Sequence, residues 1–72
     1  MYIDNLGEEL KYERCAWGMS KKRLARLANT DIETIELIES GELKNPDFYL
    51  LLKICDILEI SIFTYLKDKH NL

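Results

Sequence analysis

Proline and histidine each occur once in this chain of 72 residues, glycine three times and cysteine twice. Each scarcity closes off a class of chemistry. Cys15 and Cys55 stand in no C-x-x-C spacing, and two cysteines with one histidine do not make a zinc site. They read as reduced thiols, the usual state in the cytosol. The lone histidine, His70, lies in the polar tail KDKHNL and reads as a solvated residue rather than a general base. There is no Ser–His–Asp order, glycine-rich phosphate loop or metal-ligand spacing, so no enzyme, cofactor or metal is expected. No apolar run approaches the ~20 residues that cross a bilayer, and the opening MYIDNLGEEL lacks the basic and apolar regions of a secretory signal. A cytoplasmic chain with no membrane partner follows. Strand signals, internal repeats and low-complexity segments are missing too. Tyr12, Tyr49 and Tyr65 are spread over different helices and make no stacking platform for single-stranded nucleic acid. They read as half-buried packing residues.

The length allows one domain with one small core, taken as residues 1–72 with the core over 5–66 and a polar tail over 67–72. At 47% hydrophobic and 32% charged residues, the composition is that of a soluble globular domain. The net charge of −3 argues against a strong non-specific pull toward nucleic acid. Its distribution is uneven. Lys21, Lys22, Arg23 and Arg26 crowd one short stretch, while Asp31, Glu33, Glu36, Glu39 and Glu42 crowd the next with no base among them.

Those two stretches lie inside the segment SKKRLARLANTDIETIELIESG, from Ser20 to Gly41. Its pattern predicts two short amphipathic helices joined by a tight turn. Ser20 caps the first, whose inward face carries Leu24, Ala25 and Ala28. Asn29 supplies a turn residue that tolerates a left-handed backbone. Asp31 caps the second, with Ile35 and Ile38 inward, and Gly41 ends it. A turn this short keeps the helices from lying side by side and gives a helix-turn-helix.

Around this motif, Met1 to Asp4 reads as a short arm. Asn5 is placed as an N-cap with Glu8 completing a capping box, and a first helix runs to about Trp17 with Leu6, Leu10 and Trp17 inward and Arg14 at the edge. Gly18 ends it, and Met19 is the next inward residue. After Gly41, Pro46 and the Asp47 cap interrupt and restart helix. A fourth helix is expected from about Phe48 to Leu58, with a core stripe of Phe48, Leu51, Leu52, Cys55 and Leu58 and with Ile54 at its edge. Ile60 leads into a last short helix capped by Ser61, containing Ile62, Phe63, Tyr65 and Leu66. The expected fold is all-α, five helices around one core.

The joint spacing of Leu6-Gly7-Glu8, Leu10, Arg14, Gly18, Ser20, Leu24-Ala25, Ile35, Ile38-Glu39, Gly41, Pro46, Leu51, Ile54, Leu58 and Ile60-Ser61 resembles the Cro/C1-type (XRE, phage-repressor-like) helix-turn-helix family, from Asn5 to about Leu66. The resemblance implies a lambda-repressor-like DNA-binding domain and a transcriptional regulator. Such a regulator binds double-stranded operator DNA as a homodimer, with the third helix in the major groove and half-sites about one helical turn apart. It implies that Lys21, with Lys22 beside it, contacts phosphate, and that Asp31, Ile32, Glu33, Glu36 and Leu37 face base edges. Lys44 and Asn45 match positions that touch the phosphate backbone. It also implies that Arg14 and Glu39 form a structural pair, a bidentate bond tying the first helix to the third.

Two features depart from the family's usual pattern. The third helix turns two acids outward, where the family places Gln, Ser, Arg, Thr or Asn. A glutamate accepts from a cytosine amino group and an aliphatic side chain packs on a thymine methyl, but carboxylates near phosphates repel and are desolvated in the groove. Arg23 and Arg26 offer to neutralise these acids from the side. Leu50 and Ile57 fall opposite the core stripe of the fourth helix, with Phe63 following, which marks a surface for self-association or another protein. The alternative function is therefore a protein–protein module on the same fold, antitoxin-like or anti-repressor-like, working through the acidic helix or this apolar patch.

Overall fold

The computed structural model describes residues 6–43 and 46–61, and these form four helices: α1 (Leu6–Ala16), α2 (Lys21–Leu27), α3 (Ile32–Ser40) and α4 (Phe48–Ile57). No strand occurs among the described residues. The arm, the Asn5 cap, the expected fifth helix with Ile62, Phe63, Tyr65 and Leu66, and the tail with His70 lie outside them.

The helix starts follow from side-chain caps. Ser20 Oγ accepts the Arg23 N–H at 3.0 Å, Asp31 Oδ1 accepts the Thr34 N–H at 2.8 Å, and Asp47 Oδ1 accepts the Tyr49 N–H at 2.8 Å. The helix ends share one backbone device. After α1 the Met19 N–H reaches the Arg14 carbonyl (3.0 Å), after α2 Thr30 reaches Ala25 (2.8 Å), after α3 Glu42 reaches Leu37 (3.1 Å), and after α4 Ile60 reaches Cys55 (2.8 Å). Each is the six-residue closure of a Schellman motif, which requires a left-handed residue just before the closing donor. Gly18 (φ +68°), Asn29 (+58°), Gly41 (+82°) and Glu59 (+59°) supply it.

The core draws on every helix: Leu6 and Leu10 from α1, Leu24, Ala25 and Ala28 from α2 and its end, Ile35 and Ile38 from α3, and Leu51, Ile54, Cys55 and Leu58 from α4 and its end. Met19 packs against this cluster. The approach of α1 to α3 is close enough to exclude a side chain. A Cβ on Gly7 would collide with the Ile38 carbonyl oxygen and lie 2.9 Å from that of Glu39.

Several expectations are corrected. The buried stripe of α4 is turned toward Ile54, which is fully buried, while Phe48, at the exposed first position, is 37% exposed and Leu52 is only half-buried. The run Leu51, Ile54, Cys55, Leu58 follows the i, i+3, i+4, i+7 period, and Phe48 falls at the edge of that arc in the first turn of the helix. Leu50 and Ile57 then lie beside the stripe rather than opposite it, half-buried against the core. Trp17 is not a core residue. The helix stops at Ala16, so its ring lies over the end of α4, about half exposed, with Nε1 donating to the Leu58 carbonyl at 3.3 Å. Tyr12 and Tyr49 are exposed, at 68% and 80%, rather than half-buried; Tyr49 stands edge-on to Phe48.

Candidate nucleic-acid interface

The four residues from Ala28 to Asp31 turn the chain between α2 and α3. Left-handed Asn29 ends one helix and the Asp31 cap starts the next, so the relative direction of the two helices is set by backbone geometry and a side-chain cap. The two Thr34 hydrogen bonds hold the Asp31 carboxyl below its ordinary pKa, side-chain bond first. Asp31 is therefore ionised in its capping role, where the positive end of the helix dipole favours it.

α3 divides cleanly into two strips. Ile35, Ile38 and Glu39 are buried. Asp31, Ile32, Glu33 and Glu36 are exposed, with Leu37 half-buried between the strips rather than fully outward. Across Ile32–Ser40 there is no Lys, Arg, Asn or Gln. The hydroxyl of Ser40 is engaged by the Leu37 carbonyl and Glu42.

The buried acid of the inner strip has a partner. Glu39 Oε2 accepts from Arg14 Nε at 2.7 Å and Glu39 Oε1 from Arg14 Nη2 at 3.1 Å. The third bond of Arg14 runs from Nη1 to the Met19 carbonyl at 2.8 Å, which anchors the chain between α1 and α2. The Glu39 bond, opposed by burial, raises the pKa of Arg14 above its ordinary value. One guanidinium thus ties three segments together.

On the outer side, Lys21 Nζ lies 3.4 Å from Glu36 Oε2, both side chains about half exposed. Among the described residues Lys21 is the base that reaches an exposed acid of α3; Arg23 and Arg26 form no such pair. Lys22 and Arg26 instead line an open cleft with Asp31 and Glu33 at the junction of α2 and α3. Lys44 and Asn45 lie outside the described residues. Sequence reasoning missed the Lys21–Glu36 pair, the Trp17–Leu58 bond and the backbone approach at Gly7. For the last there was a signal: glycine inside a helix weakens it and often marks close packing.

No group of three or more metal-ligating side chains occurs among the described residues, and no helix there is long and apolar enough to cross a membrane. Cys15 is exposed and free; Cys55 is free and buried.

Residues 11–67 match the family model described as the Cro/C1-type HTH DNA-binding domain. No curated protein matches the chain. Among solved structures, SinR, described as the master regulator for biofilm formation and seen in complex with DNA, is 30% identical over 83% of this chain and 95% of its own, with a TM-score of 0.74. The restriction-modification controller protein C.AhdI from Aeromonas hydrophila is 31% identical over 76% of this chain and 78% of its own, with a TM-score of 0.69. SinR in its complex with SinI is 30% identical over 92% of this chain and 64% of its own, with a TM-score of 0.77. Frame, capped turn and family model agree, and the chain belongs to the Cro/C1-type helix-turn-helix DNA-binding family.

Proposed function

We propose that this chain is a sequence-specific, repressor-like transcriptional regulator that binds operator DNA as a homodimer with α3 in the major groove. The observation that carries this reading is the division of α3. Its inner strip is clamped to α1 through Arg14 and Glu39, while Ile32, Glu33 and Glu36 are exposed on the other side of a fixed helix. A rigid helix with one unoccupied polar face is what base readout requires. Lys21 and Lys22 at the start of α2, with Lys44 and Asn45 by resemblance, take phosphate contacts that set position without carrying sequence. Leu50, Ile57 and Phe63 form the surface through which two copies associate, and Leu50 and Ile57 keep part of their area exposed beside the core. Support comes from the DNA complex of SinR.

Selection from a random duplex library at low salt, followed by a salt titration, tests the reading. Enrichment of a palindromic site with affinity that falls steeply as salt rises is the expected result. Absence of enrichment at micromolar protein overturns it. A second reading rests on one observation, the acid-only outer strip of α3 with its nearest base already engaged by Glu36. In it the fold serves as a protein-binding module, antitoxin-like or anti-repressor-like, and SinR has been seen with a protein partner. That reading expects no salt-steep duplex binding.

A further inference from the structure

We infer that Lys21 and Glu36 act as one reading unit that commits this chain to a cytosine in each half-site, with Glu36 the specificity-determining residue and Lys21 its positioning residue. The inference rests on the DNA-binding reading above.

In the major groove guanine presents two acceptors, O6 and N7, and thymine presents the acceptor O4 beside its methyl group. Both acceptors call for a donor. The outer strip of α3 offers no amide or cationic donor; the half-buried Thr34 hydroxyl is turned to the Asp31 carboxylate, and the Ser40 hydroxyl is occupied by Leu37 and Glu42. Adenine presents the N6 amino donor beside the N7 acceptor; a carboxylate takes the first and is repelled by the second. Cytosine presents only the N4 amino donor. A carboxylate on this face is therefore satisfied by cytosine and left short by the other three bases. Ile32, 40% exposed one turn before Glu36, adds an aliphatic group suited to a neighbouring thymine methyl.

A bare carboxylate entering the groove would be repelled by phosphates and stripped of water. Lys21 answers both costs. It holds Glu36 Oε2 at 3.4 Å, cancels the charge locally and leaves Oε1 free to accept from N4. The ammonium keeps two further N–H donors for the phosphate backbone. The pair spans α2 and α3, so it biases Glu36 toward one rotamer before DNA arrives.

The test uses the whole chain and a random duplex library. The wild-type protein is expected to enrich a palindrome with one cytosine-dominated position per half-site. Glu36→Gln, which gains an amide donor, is expected to move that position to adenine. Discrimination against a cytosine-to-guanine exchange there should fall by roughly tenfold or more in the variant. Lys21→Ala should lower both affinity and this discrimination, whereas Lys22→Ala should lower affinity alone. Thermal melting checks that each variant folds; Glu36, Lys21 and Lys22 lie outside the core. A palindrome whose bases stay the same in Glu36→Gln, or an A·T pair at the Glu36-dependent position of the wild-type site, overturns the inference and leaves the regulator standing. No enrichment at all removes the regulator and the inference with it.

Discussion

Arg14 spends three N–H groups on two partners, and two of them end on Glu39, 25 positions away in the chain. Both side chains are more than nine-tenths buried. Removing one member strands the other charge in a medium that solvates it poorly, which typically costs ~3–5 kcal/mol. Glu39→Ala is therefore expected to lower stability by about that amount, a large share of the total for a small domain. An unchanged midpoint in urea or thermal melting would refute it. The pair was visible in the sequence only through the family resemblance, because composition and periodicity place Arg14 at an edge without naming its partner. Trp17 shows the opposite failure. Periodicity puts it on the inward face, but the helix stops one residue earlier and the indole finds the Leu58 carbonyl instead.

Helix punctuation was the most legible level. Ser20, Asn29, Asp31 and Gly41 have short-range roles, set by what a side chain or a backbone torsion does within three residues, and each was placed by sequence alone. The phase of α4 was less legible, because apolar residues surround it and several phases satisfy the same period; tertiary packing chose Ile54 over Phe48. Glu59 was not foreseen as a terminator. It holds φ +59° to close α4, a conformation in which an L side chain other than Asn or Asp is disfavoured. Glu59→Gly is expected to raise stability by about 1 kcal/mol, since relief of strain outweighs the added freedom of the unfolded chain. A denaturant midpoint that fell in this variant would count against the strain.

At the scale of the whole molecule the two thiols report on cooperativity. Cys15 is exposed on α1, while Cys55 is sealed in the core where all four helices meet. Burial pushes the Cys55 thiol up from 9.0 to about 11. The folded state therefore holds this proton more tightly than the unfolded chain. The contribution is present in full below pH 9.0, and stability falls as pH rises from there through about 11. With a thiol-specific reagent at neutral pH, Cys15 should react at once and Cys55 at least about a hundredfold more slowly, at a rate tied to global opening. Equal rates would show that α4 detaches independently of the rest. The contact at Gly7 bears on the same unity from another side. Main chain rests against main chain there, with no side chain of α1 between. The pose of α3 is consequently insulated from its own outer residues: Ile32, Glu33 and Glu36 could be exchanged wholesale without tilting the helix. The molecule behaves as a typeset block, in which the letters are replaceable because the press grips them from behind.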